Sequence, residues 1–122
     1  MKSEWPDQLL GVRMGWFYLA VAIVSEVIAT SALKSADGFT RVGPTTLVFI
    51  GYIVSFYFFS LSLRTIPVGV MYAVWSGVGI MLMSLIGIFY FRQVMDLAAM
   101  VGIAFILVGV GVLTLGSRTI VE

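Results

Sequence analysis

Charged side chains divide the chain into long apolar runs. Between Arg13 and Lys34 lie 20 residues with a single charge, Glu26; between Arg41 and Arg64 lie 22 with none. Arg64 and Arg92 enclose 27 uncharged residues, and Asp96 and Arg118 enclose 21. A helix crossing the roughly 30 Å hydrocarbon layer needs about 20 apolar residues at about 1.5 Å each. Four runs meet that length. Lipid offers the backbone no hydrogen-bond partner, so each run is expected to be helical. A β-barrel would need strict alternation, which is absent. The expected spans are 15–33, 45–63, 68–91 and 97–116. Ser35-Ala36-Asp37-Gly38 and Gly43-Pro44 bracket the first connection, Thr65-Ile66-Pro67 makes the second, and Arg92-Gln93-Val94-Met95-Asp96 the third. Residues 1–13 read as a polar, irregular extension, 14–117 as one four-helix domain, and 118–122 as a tail.

Composition agrees with a membrane protein. Of the 122 residues 61% are hydrophobic and 11% charged, against about 45–50% and about 25% in soluble domains. Cysteine and histidine are both absent. That removes disulfides, thiol nucleophiles, His-based triads and most zinc sites, and no metal or other cofactor is expected. A net charge of +1 leaves no footprint for nucleic acid. No nucleophile–base pair or phosphate loop is present, so an enzyme is not expected.

Orientation is nearly undecided by charge. With four spans, both termini and the second loop share a side, which holds Lys2, Arg13, Arg64 and Arg118; Lys34, Arg41 and Arg92 lie opposite. Counting from Met14 instead reverses the bias. Either topology is set by something else, or the chain inserts both ways. The second case allows an antiparallel homodimer, which supplies by assembly the inverted repeat that larger transporters carry in one chain.

Glu26 falls near the middle of the first span. A carboxylate there is destabilising by several kcal/mol unless it is protonated, paired or wetted, and such groups mark ion or substrate pathways. No Lys, Arg or His lies within the spans to pair with it, so its partner is a proton or an imported cation. The alternative is a protonated Glu acting as interhelical glue. Ala22, Ile23 and Thr30 share its helical face, the small residues leaving room and Thr30 offering a hydrogen bond. In the third span Tyr72, Trp75 and Ser76 share a face. Trp75 is 11 residues from Arg64 and 17 from Arg92, too deep for an interfacial belt. Aromatic rings beside a carboxylate suit a desolvated organic cation. Tyr52 and Ser55 of the second span could complete the wall. Gly77 and Gly79 suggest a kink or hinge. In the fourth span Gly102 and Gly109 recur at seven residues and let backbones approach. That stripe fits a dimer seam or packing within one protomer equally well.

Taken together, Ser25-Glu26-Val27-Ile28-Ala29-Thr30, Leu33-Lys34 with Gly38-Phe39-Thr40-Arg41, and the run Ile66-Pro67 to Gly79 resemble the small multidrug resistance family of bacterial proton-coupled exporters, from about Met14 to Ser117. The resemblance implies an all-α membrane protein working as an antiparallel, dual-topology homodimer in the bacterial inner membrane. It implies Glu26 as the carboxylate shared by protons and substrate, Tyr72 and Trp75 as pocket aromatics, and Gly102 and Gly109 as the dimer seam. Ala22, Ile23, Thr30, Tyr52, Ser55 and Ser76 would be secondary lining. The branch that exports guanidinium typically carries Trp three residues after the membrane Glu and a Lys-Glu-Pro-like third loop. Ala29 and the loop Phe91–Asp96 are instead similar to the quaternary-ammonium branch. Met71, where a small residue is more usual, implies a narrowed pocket. The expected function is therefore exchange of protons for hydrophobic or quaternary-ammonium cations. A guanidinium or small-polyamine exporter, and a structural or regulatory membrane subunit, stand as alternatives.

Overall fold

The computed structural model describes residues 5–116, with four helices in chain order: α1 (Trp5–Ser35), α2 (Val42–Ser62), α3 (Val68–Phe89) and α4 (Leu97–Gly116). All four are long and apolar enough to cross a membrane. Residues 1–4 of the expected extension and the tail 118–122 lie outside the described residues.

Three helix ends differ from those expected. α1 begins at Trp5 rather than near residue 15, because polarity takes a segment out of lipid without breaking its helix, and Pro6 falls in a first turn where its missing N–H needs no partner. The same reason lets α2 start at Val42, ahead of Pro44. α3 stops at Phe89, where the chain turns back: Phe91 N–H donates to Ile86 O at 3.2 Å, Gln93 N–H donates to Gly87 O at 2.8 Å, and Arg92 takes φ 56°.

α1 and α2 form the tightest pair. A Cβ added to Gly51 would stand 2.7 Å from Ala29 Cβ and 3.1 Å from Ser25 O, so only glycine permits this approach. Ser55 Oγ donates to Ala22 O across the same seam at 2.9 Å. Leu19, Ala22, Ile23, Val27, Phe59, Ile66, Val70 and Met71 form the principal core where α1, α2 and α3 converge. Ala32, Ala36 and Val48 form a smaller one near the first connection. There Asp37, Gly38 and Phe39 all take positive φ, a conformation unfavourable for a residue such as Phe39. The Phe39 ring lies 6.0 Å from that of Phe49.

α4 packs mainly against α3. Gly77 lets Val110 approach so closely that a Cβ would stand 2.6 Å from its Cγ2. No residue of α4 is buried. Its start is fixed by Asp96, whose Oδ1 accepts from Ala99 N–H at 2.8 Å. Asp96→Ala should destabilise the folded protein by about 1 kcal/mol, read as a lower midpoint in thermal unfolding, while Asp96→Asn keeps most of the cap.

Candidate functional site

Helix periodicity puts Glu26 and Thr30 one turn apart on α1, and the α1–α2 contact at Gly51 brings Tyr52 beside them. Thr30 Oγ1 donates to Glu26 Oε1 at 2.6 Å and lies 2.7 Å from Tyr52 Oη. Thr30 has one hydroxyl proton, and it is given to the carboxylate. Tyr52 is therefore the donor in the second bond. A chain of two hydroxyls thus runs from α2 to one oxygen of Glu26.

The other oxygen faces α3. Glu26 Oε2 would lie 3.9 Å from a Cβ at Gly79, and the space left by that glycine joins a cavity of about 280 Å3 lined by Glu26, Trp75, Ser76, Gly79, Ile80 and Met83. Glu26 is half-buried. Trp75 is held edge-on between two rings: Tyr72 at 4.8 Å and 86°, and Phe59 at 5.2 Å and 67°. Tyr52 is stacked on Phe56 at 6.0 Å. The cavity lining has one acidic group, no basic one, and one aromatic ring, Trp75, which Tyr72 and Phe59 hold in place. A desolvated cation is what such a surface stabilises.

Glu26, Thr30, Tyr52, Trp75, Ser76 and Gly79 are thus gathered around one carboxylate. Tyr72 touches Trp75 but is 56% exposed and does not line the cavity. Ala22, Ile23 and Ser55 are placed elsewhere than expected. They are buried in the contacts of α1 with its neighbours, Ser55 tying α2 to the α1 backbone. Met71 is likewise in the core and does not narrow this cavity. The expected hinge residues divide: Gly79 opens space for the carboxylate, whereas Gly77 is a contact point for α4, and helical structure continues through both. Gly102 and Gly109 have nothing within 4 Å in the protomer.

Two lining residues are absent from the sequence-derived set. Ile80 and Met83 continue the Ser76–Gly79 stripe at helical spacing, so counting forward along α3 finds them. Gly51, which sets the α1–α2 approach without lining the cavity, is also missing from that set; a lone glycine in an apolar span is an available signal for close approach.

Comparison with known proteins places the chain in a family. The model of the Small Multidrug Resistance protein family matches residues 14–106. The chain belongs to the small multidrug resistance family. Among its relatives is the quaternary ammonium compound-resistance protein QacE of Escherichia coli, 52% identical over 104 residues, covering 85% of this chain and 94% of that one. The multidrug transporter EmrE of Escherichia coli K12 is 43% identical over 104 residues, with 85% and 94% covered. The multidrug resistance protein EbrA of Bacillus subtilis is 41% identical over 97 residues, with 80% and 92% covered. These small multidrug resistance proteins carry resistance and transport names rather than enzyme names, and the chain is a multi-pass membrane protein of their kind.

Proposed function

We propose that this small multidrug resistance protein exports hydrophobic, quaternary-ammonium-type cations across the bacterial inner membrane in exchange for protons, the two competing for Glu26. One observation carries the reading: a carboxylate within the first span has one oxygen held by the Thr30–Tyr52 hydroxyl chain and the other facing a cavity lined by Trp75 and by no basic residue. Proton and organic cation stabilise the same negative charge, so each weakens the other's binding by the same factor. Competition of this kind couples outward movement of the drug to inward movement of protons.

The working unit in this reading is an antiparallel homodimer. α4 has no buried residue, and the Gly102–Gly109 stripe is open to a partner. The nearly even split of basic residues between the two sides lets the chain insert in both orientations. Two identical protomers then exchange conformations, and the inward- and outward-open states have similar energies.

The glue alternative fits less well. Beside Glu26 the bond linking helices is Thr30 to Tyr52; Glu26 itself bonds within its own helix. Binding of tetraphenylphosphonium to the purified protein tests the main reading, through proton release in the wild type beside Glu26→Gln. Release that persists in the variant would move the chemistry away from Glu26. Trp75→Leu should weaken aromatic-cation affinity by about tenfold, from ~1–2 kcal/mol of lost cation–π attraction, while Trp75→Tyr should retain most of it. An isothermal titration distinguishes the two.

A further inference from the structure

A second cavity, of about 470 Å3, shares no residue with the one around Glu26. It opens between the C-terminal ends of α1 and α3 and the first turns of α2. Its walls are mainly Ala32, Pro44, Leu47, Ile86 and Tyr90, with Ser35 at the rim. Ser35 is the last residue of α1, Pro44 is in the first turn of α2, and Tyr90 directly follows α3. The groove therefore begins at the membrane–water boundary and runs into the apolar layer.

Two cations lie near its mouth, although neither is among its lining residues. Arg41 Nη1 donates to Ser35 O at 3.5 Å, which brings the guanidinium to the rim. Lys34 Nζ lies 4.5 Å over the ring of Phe91, next to Tyr90. Asp37 is the single acid of the α1–α2 connection. A cationic drug is a poor occupant here, because the entrance carries two bases and the walls carry no carboxylate. A free inorganic anion would leave the apolar floor empty. An apolar chain bearing an anionic head satisfies both parts of the surface.

We propose that the groove holds one acyl chain of an anionic phospholipid, whose phosphate is neutralised by Lys34 and Arg41. This site is separate from Glu26 and does not depend on the transport reading.

The native chain has no cysteine, so Leu47→Cys gives the full-length protein one attachment point for a bimane fluorophore at the groove wall. Leu47 is 45% exposed, and its replacement leaves the core intact. The labelled protein is placed in bilayers of equal phosphatidylglycerol and phosphatidylcholine, with bromine on the acyl chains of one lipid or the other. Brominated phosphatidylglycerol should quench roughly tenfold more effectively, since each base near the surface favours anionic lipid. The Lys34→Ala/Arg41→Ala double variant should erase the difference, and Glu26→Gln should leave it unchanged. Equal quenching by both lipids would overturn the proposal. So would quenching by neither, which means a second copy covers the groove, or displacement by tetraphenylphosphonium, which makes it a drug path. Native mass spectrometry of the unlabelled protein, scoring retained phosphatidylglycerol over phosphatidylcholine, reads the same preference without the label.

Discussion

Glu26→Gln protein should bind tetraphenylphosphonium on the order of a hundredfold more weakly than the wild type, about the effect of removing one charge from a desolvated pair. It should release no proton on binding. The replacement is nearly isosteric, and Thr30 Oγ1 can still donate to the amide oxygen that stands in for Oε1. Local structure is therefore kept while the charge is lost. Gln has no ionisable proton to exchange, so coupling and attraction disappear together. Cells producing the variant should grow in quaternary ammonium compounds no better than cells without the protein. Wild-type resistance from Glu26→Gln, with wild-type thermal stability, would leave Glu26 as interhelical glue and nothing more.

The largest loss of stability is expected at Gly51. A methyl group there meets Ala29 Cβ at 2.7 Å and Ser25 O at 3.1 Å, so α1 and α2 must separate along their whole seam. Overpacking of this kind is destabilising by about 1–3 kcal/mol. The value should fall at the upper end, because one of the clashing atoms is backbone and cannot rotate away. The separation would also lengthen the Thr30–Tyr52 bond, which lies one residue along from Gly51, and drug affinity should fall with stability. Thermal unfolding in detergent measures the first effect and titration the second. Ala29→Gly in the same chain should recover most of both, because it removes the closest atom. Gly69→Ala, at a position with nothing within 4 Å, should be neutral. Equal behaviour of Gly51→Ala and Gly69→Ala would mean that the helices are not this close in the membrane.

Much of the candidate site is legible in the amino-acid sequence. Glu26 stands out as the one charge inside four spans, and Trp75 and Ser76 follow from their depth and shared face. Thr30 is readable as a hydrogen-bond donor one turn from Glu26, but its link to Tyr52 is not, since that bond joins residues 22 positions apart on different helices. Ala22, Ile23 and Ser55 show the limit most clearly. They have the right depth, yet they point into packing rather than into the cavity. Gly77 and Gly79 are two residues apart and serve opposite sides of α3, one meeting Val110 and the other the carboxylate.

The number and helical character of the spans, and the expected depth of Glu26, follow from the amino-acid order alone. Rise per residue and hydrocarbon thickness are the same for every chain, so counting residues between charges measures position along the membrane normal. Rotation of each helix about its own axis is decided only in the tertiary structure. An amphipathic helix in water declares its buried side by its polar stripe. In lipid every side can be apolar, and the contact face is chosen by where small residues let backbones meet. Gly51 against Ala29 turns α1 and α2 so that Tyr52 reaches Thr30, and Gly79 gives α3 the hollow that receives Glu26 Oε2.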